Sequence, residues 1–181
     1  MQSIFDKFCI KEKVCIITGG AGLLGRQHAV AVIEGGGIAV LLDISQKALL
    51  NAKDYLKGIF PEAEIDTYKA DITNEEELVI VREDLLKRRG HVDILINNAA
   101  NNPKMEEASK NLGNIRFDNF PINIWNDDIA VGLTGAFLCA KVFGKAMEDG
   151  GRGVVLNIVK RGFSRRIRRS SQSRIRLSSM A

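Results

Sequence analysis

The sequence predicts an α/β protein with a doubly wound parallel sheet of strand order 3-2-1-4-5. Three observations predict it. Short apolar runs alternate with helix-length amphipathic segments along most of the 181 residues. The apolar runs are nearly continuous, as in strands buried on both faces, which implies parallel pairing through right-handed crossovers. The chemically suggestive residues fall at the carboxyl ends of those runs, where open parallel sheets hold ligands, here at the ends of strands 1 and 4.

The elements follow in order. Lys13–Thr18 reads as the first strand and Gly22–Glu34 as its helix, ended by Gly35-Gly36-Gly37. Ile38–Leu42 is the second strand. Ser45 can cap a second helix through about Lys57, stopped by Gly58 and Pro61. A short strand lies near Ile65–Lys69. Thr73-x-x-Glu76 resembles a capping box for a helix over Glu75–Arg89. His91–Asn97 is the fourth strand, a polar loop runs from Asn98 to about Pro121, a helix spans Ile124–Met147, and Gly153–Ile158 is the fifth strand.

Length suits one domain with a proper core. The net charge of +4 hides an asymmetry: residues 1–158 carry −4, while Val159–Ala181 holds eight basic residues, six serines and no acid. The organisation expected is a folded body over 1–158 and a basic, disordered tail over 159–181. An acidic body gives no reason to expect nucleic-acid binding. No segment reads as a signal peptide or approaches the roughly 20 apolar residues of a membrane span, so cytoplasmic residence is the expectation. Cys9, Cys15 and Cys139 lack metal-site spacing and read as reduced thiols, Cys15 in a buried strand.

Val14–Gly25, V-C-I-I-T-G-G-A-G-L-L-G, runs an apolar strand into a glycine turn that opens a helix. Glycines let the backbone approach a pyrophosphate, and the helix start presents unpaired N–H groups and a positive dipole end. Gly19, Gly22 and Gly25 carry G-x-x-G-x-x-G spacing, a weak signal alone among 17 glycines. Asp43 ends the second strand 18 residues on. A carboxylate there can accept from ribose hydroxyls, an interaction on the order of 1.5–3 kcal/mol. It repels a 2′-phosphate, and neither residue 42 nor residue 44 is basic, so NAD is preferred over NADP. Asp43 as a cap for the next helix is the plainer reading, but Ser45 is available for that role. Asp71-Ile72 could meet an adenine edge, although Asp71 alone reads as a turn residue. Asn97-Asn98-Ala99-Ala100 ends the fourth strand, with amides able to tie strand ends together and small residues on which a ribose could lie.

Taken together, Thr18–Gly25, Asp43, Asp71-Ile72, Asn97–Ala100 and Leu133-Thr134-Gly135-Ala136-Phe137 resemble the short-chain dehydrogenase/reductase family over about Lys11–Ile158. The resemblance implies a Rossmann-type fold. It implies that Gly19, Gly22, Leu24 and Gly25 hold the pyrophosphate, Asp43 the ribose, Asp71 and Ile72 the adenine, and Asn98, Ala99 and Ala100 the nicotinamide-side ribose. It also implies hydride transfer between the dinucleotide and an alcohol or carbonyl substrate. The insert Asn101-Asn102-Pro103-Lys104-Met105 is similar to that of bacterial members tied to surface-glycan or flagellin sugar modification. Relatives often pair through the helix at Ile124–Met147, so the resemblance leaves a homo-oligomer through that helix open without fixing the oligomeric state.

The chain departs from that family where catalysis would lie. A Ser and a Tyr-x-x-x-Lys pair follow strand 5 in relatives; here the only tyrosines are Tyr55 and Tyr68, Val159-Lys160-Arg161 follows Ile158, and Gly132 replaces the Asn before Leu133. Proton transfer by a positioned side chain contributes roughly 10²–10⁴ in rate, so negligible turnover is expected and no catalytic residue is assigned. With the sheet truncated after strand 5, that strand becomes an unprotected edge, and the Ile124–Met147 helix is expected to expose apolar surface. The compositional break at Ile158 is of the kind a reading-frame shift produces; a native disordered extension and a basic arm for RNA or anionic membrane rank behind it. No metal site is expected: His28 and His91 stand alone, and Glu75-Glu76-Glu77 suits the first turn of a helix. A cofactor-binding oxidoreductase chain is the leading reading, and a non-catalytic nucleotide-binding or interaction protein the alternative.

Overall fold

The computed structural model describes residues 9–101 and 120–158. Its five-stranded sheet has the order β3-β2-β1-β4-β5, all parallel. In chain order the elements are β1 (Val14–Thr18), α1 (Leu23–Glu34), β2 (Ile38–Asp43), α2 (Gln46–Ile59), β3 (Ile65–Lys69), α3 (Glu75–Arg89), β4 (Ile94–Asn97), α4 (Ile122–Ile129), a π-helical segment (Ala130–Gly135), α5 (Ala136–Asp149) and β5 (Val154–Asn157). The tail after residue 158 and residues 102–105 of the loop insert lie outside the described residues.

Alternation along the strands divides the core into two layers. Val14, Ile16, Val40, Leu42 and Leu95 pack with Leu78, Val81 and Leu85 of α3 and with Val142, Phe143 and Met147 of α5. Cys15, Ile17, Ala39, Leu41 and Ile96 face Ala29 and Val32 of α1 and Leu49, Ala52 and Leu56 of α2. Every residue of β1 is buried, as a central parallel strand requires. Burial pushes the Cys15 and Cys139 thiols up to about 12, which makes them inert packing residues.

Several boundaries differ for identifiable reasons. Gly58 does not stop α2; a single interior glycine costs about 1 kcal/mol, too little to end a well-packed helix. The helix ends at Phe60, before Pro61 disfavours further helical backbone. Asn74, not Thr73, caps α3, its side chain accepting from the Glu76 and Glu77 amides. Glu77 at N3 then accepts from Asn74 Nδ2 at 3.0 Å. β4 starts only at Ile94, because Asp93 bends into a polar knot at the floor of the sheet. There its carboxylate takes Val14 N at 3.0 Å, Lys13 Nζ at 3.1 Å and Arg152 Nε at 2.9 Å.

The long helix holds the largest surprise. It starts at Ile122 and passes through a π-helical segment before α5, so the run to Asp149 is continuous. That run is long and apolar enough to cross a membrane, which corrects the expectation that no segment approaches this measure. Counting consecutive apolar residues misses it because Lys141 and Lys145 interrupt the apolar stretch that starts at Ile129. Its inner face, with Cys139, Val142, Phe143, Ala146 and Met147 buried, belongs to the core of the α/β sheet. Its outer face leaves Trp125, Leu133 and Phe137 more than half exposed. Among the described residues β5 is an edge strand, and all four of its residues are exposed.

Candidate functional site

The crevice lies where the strand order reverses, between the carboxyl ends of β1 and β4. Thr18 ends β1 almost fully buried, and its Oγ1 accepts from both Asn98 N and Ala99 N at 3.0 Å. Asn98 Nδ2 returns the tie, donating to Thr18 O at 3.0 Å and Gly19 O at 3.3 Å. Asn97 links outward, donating to Asn157 Oδ1 at 2.9 Å and Ala136 O at 3.3 Å. The paired asparagines therefore do what their spacing suggested: they lock three strand ends and the start of α5 together. Asn98 acts on the crevice by fixing its wall, and Ala99 and Ala100 form the surface on which a ribose could lie.

The glycine turn is built for close approach. Gly19 has φ +61°, and a Cβ there would stand 3.0 Å from Ala99 Cα. Gly25 packs directly on the turn, so that a Cβ would collide with Gly19 O and stand 2.7 Å from Gly20 Cα. Gly22 is the N-cap of α1, without a side-chain cap, and the first turn carries no acid. The first intrahelical amide there is Arg26 N, which donates to Gly22 O at 3.1 Å. The amides of Leu23, Leu24 and Gly25 are left for an anion, which is the chemistry a pyrophosphate uses. Leu23 and Leu24 side chains are exposed beside them.

Asp43 closes β2 with both carboxylate oxygens oriented. Oδ2 accepts from Ala21 N at 3.3 Å, inside the glycine turn, and Oδ1 accepts from Ser45 N at 3.0 Å. Ser45 itself caps α2, accepting from Ala48 N, so the two roles are divided as expected. The carboxylate is thereby held beside the helix start that would take the phosphates. One neighbour escaped the sequence reading. The β2–β3 register sets Lys69 across from Asp43 on the neighbouring strand, so a basic residue stands opposite in the ladder although none adjoins it in sequence.

Asp71 behaves first as a turn residue: Oδ1 accepts from Thr73 N at 2.8 Å and Thr73 Oγ1 at 2.7 Å. Its amide donates to Glu77 Oε2 at 2.8 Å. The Ile72 side chain is buried in the core against Gly135 of the π-helical segment. Neither tyrosine joins the crevice. Tyr68 lies on the edge strand β3; burial and the Asp84 carboxylate, to which its hydroxyl donates at 2.7 Å, push it up to about 12. Tyr55 sits on α2 beneath the Arg26 guanidinium. Sequence reasoning also missed Thr18 as the post that holds β4 to the turn. Its position, last in the strand and directly before the first glycine, was the available signal.

Comparison with known proteins agrees with this geometry. The profile of the family described as short chain dehydrogenase matches residues 13–166, eight residues past the compositional break. The NAD-dependent glycerol dehydrogenase of Listeria innocua is 31% identical over 155 residues, covering 85% of this chain and 55% of that one. Among solved structures, an NAD⁺-bound xylitol dehydrogenase superposes with TM-score 0.68 at 25% identity, covering 80% of this chain and 52% of its own. The NADPH-dependent 3-quinuclidinone reductase of Rhodotorula rubra gives TM-score 0.69 at 28% identity, with 86% and 55% covered. The chain spans about half the length of the curated relatives it matches.

Proposed function

Because the chain belongs to the short chain dehydrogenase family, we propose that its crevice binds a nicotinamide dinucleotide, NAD in preference to NADP. The carrying observation is Asp43, held by Ala21 N and Ser45 N at the end of β2, next to the uncapped start of α1. In this reading Gly19, Gly22, Leu24 and Gly25 hold the pyrophosphate, with the Leu24 and Gly25 amides donating to it while Gly22 N closes the turn on Gly19 O, and Asp43 receives the adenosine ribose. Asp71 and the Ile72 backbone border the adenine, while Asn98, Ala99 and Ala100 border the second ribose. The residues present fit that ligand, since the turn is closed to any Cβ at Gly19 and Gly25 and the first turn of α1 carries no acid. When bound, the dinucleotide supplies the site where a hydride is given or taken; the residues described here bind and orient it.

The same proposal covers the finer points. The 181-residue polypeptide carries no catalytic acid of the family's kind and turns over no alcohol or ketone by itself. Gly132, inside the π-helical segment, stands where relatives have Asn, and Tyr68 is held by Asp84. These two residues are what favour a non-catalytic nucleotide-binding protein as the second reading. A sugar is the substrate class proposed for the whole enzyme, resting on the resemblance of the Asn101–Met105 insert to members tied to surface-glycan or flagellin modification. Cytoplasmic residence, no nucleic-acid partner and pairing of copies through the long helix belong to the proposal too.

Titration calorimetry on the purified chain tests it. NAD is expected to bind, NADP to bind more weakly, and Asp43→Ala to lower NAD affinity by about 10- to 100-fold, the loss of one charged hydrogen-bonding group. Tighter binding of NADP than NAD would overturn the role given to Asp43 and would point to Lys69 as the residue that decides. No binding of either dinucleotide would overturn the site itself.

A further inference from the structure

The carboxyl ends of β2 and β3 bring an acid and a base to one side of the sheet. In their parallel register Leu41 stands opposite Thr67, Leu42 opposite Tyr68 and Asp43 opposite Lys69. Neighbouring strands lie about 4.8 Å apart, and residues paired across them send their side chains to the same face. The neighbours fix which face that is. Leu42 and Tyr68 pack in the layer with α3 and α5, whereas Leu41 belongs to the layer with α1 and α2. Alternation therefore puts Asp43 and Lys69 together on the side of α1 and α2. The bond from Ala21 N to Asp43 Oδ2, made in the glycine turn that leads into α1, agrees with this.

Lys69 is exposed and, among the described residues, forms no ion pair. Other lysines of the chain close on an acid within reach: Lys13 holds Asp93 at 3.1 Å, Lys141 holds Glu75 at 2.7 Å and Lys145 holds Asp149 at 2.6 Å. Asp43 instead has its two oxygens oriented by the Ala21 and Ser45 amides, at 3.3 and 3.0 Å. Two backbone donors hold that carboxylate in place without help from the lysine. The ammonium, on its flexible four-carbon stem, is left over the rim for an anion that a ligand brings.

We propose that Lys69 binds a phosphate carried by the adenosine ribose, and so sets how sharply the crevice separates NAD from NADP. This rests on reading the crevice as a dinucleotide site. Asp43 and Lys69 then act on the same ribose from adjacent strands with opposite preferences. Asp43 accepts from free ribose hydroxyls and repels a 2′-phosphate, while the ammonium attracts the phosphate and offsets part of that repulsion. A phosphate monoester carries about −1.5 to −2 charge and three acceptor oxygens. Lysine meets it as a point charge with three rotatable donors, so the contact needs no single fixed geometry. NADP is therefore a second, weaker ligand of the site instead of an excluded one.

Titration calorimetry of the full chain with NAD and with NADP tests the assignment, and NAD affinity shows in each variant that the site is intact. Lys69→Ala should weaken NADP about 3- to 10-fold and leave NAD within about twofold, the range between an exposed ion pair and a charged hydrogen bond. Lys69→Glu should weaken NADP further, and Lys69→Arg should preserve it. Lys87→Ala removes a lysine from the last turn of α3 and should move neither ligand, which separates a local contact from net charge. The NADP loss should shrink as salt rises, because exposed charges are screened over about 10 Å at 0.1 M ionic strength. A parent that binds NAD, with NADP affinity unmoved by Lys69→Ala and Lys69→Glu, would show Lys69 to be merely solvated. That result overturns its role and leaves the dinucleotide site standing. So would a parent that takes NAD and no NADP, or an NADP loss seen only with Lys47→Ala, which would put the phosphate at the start of α2. A parent that binds neither dinucleotide would overturn the site and the role of Lys69 together.

Discussion

The two edges of the sheet are built on opposite principles. On β3 a buried carboxylate, Asp66, is clamped by Arg88 at 2.6 Å and by Arg89 at 2.8 Å, with Glu64 completing the pair around Arg89. Tyr68 on the same strand donates to Asp84, and Arg88 donates to Tyr68 at 3.3 Å. All of these partners come from the strand, from Glu64 just before it, or from α3, within about one crossover of sequence. On β5 the side chains are aliphatic and exposed, and the one charged tether, Arg152 to Asp93, lies before the strand at its floor. One edge is finished by local sequence in a way that repels further strands. The other, among the described residues, presents aliphatic side chains and peptide groups that point away from β4.

The sharpest way to break this contrast is to remove the clamp on β3. Arg88→Ala with Arg89→Ala leaves the Asp66 carboxylate buried without a cationic partner. Stripping the partners from a buried charge costs about 3–5 kcal/mol. Both arginines are partly exposed, so the low end of that range, about 3 kcal/mol, is expected in urea unfolding at neutral pH. Asp66→Asn in the same background should restore part of it by removing the stranded charge. If the double variant loses under 1 kcal/mol, the β3 network is surface decoration and the contrast between edges is one of composition only.

The floor of the sheet near β5 gives the next effect. Burial alone would raise the Asp93 carboxyl, but the Val14 amide, Lys13 and His91 outweigh it and hold it below its ordinary value of 3.8. A carboxyl lowered on folding contributes stability that is fully present above its unfolded-state value. That stability is lost as the pH falls through the lowered folded-state value. The unfolding midpoint should therefore hold steady from pH 7 to about 5 and drop in the acid range, with β5 released first. Asp93→Asn should lose about 1–3 kcal/mol at pH 7, the worth of a buried charged acceptor, and show a flatter acid limb. An acid limb as steep as the parent's would assign acid lability to other carboxylates.

What the sequence disclosed divides along the same line. Strand order, both core layers and the glycine turn were legible, because buried parallel strands and helix starts leave periodic and local signals at Val14–Thr18, Gly19–Gly25 and Leu95. The tie from Asn98 to Thr18 was half legible: the paired amides pointed to strand ends, but not to the hydroxyl that receives two of the amides. Lys69 across from Asp43 was invisible, since it depends on a register between β2 and β3 that no spacing encodes. The π-helical segment at Ala130–Gly135 was equally hidden. Its apolar pattern resembles that of an ordinary helix, and the extra residue per turn shows only when Gly135 is set against Ile72. Asn74 took the cap from Thr73 because Asp71 already held the threonine hydroxyl, a competition decided by three-dimensional proximity.

Arg152→Ala is the mildest perturbation and the most discriminating. Arg152 is the charged link between β5 and the rest of the sheet floor, yet its side chain is largely exposed and Asp93 keeps Lys13, His91 and the Val14 amide without it. A partly exposed ion pair contributes about 0–1 kcal/mol, so the loss in global stability should be under 1 kcal/mol, several-fold less than for the arginines of β3. Its effect should be local. Hydrogen exchange at Val154 and Leu156, whose amides point to β4, should quicken while that at Ile16 and Leu41 stays unchanged, because the ladder to β4 frays from its floor when its tether is removed. A loss as large as that of the Arg88/Arg89 variant, or quickened exchange throughout the sheet, would show β5 to be as firmly built into the fold as β3. The difference between the two edges would then be one of exposure and not of anchoring.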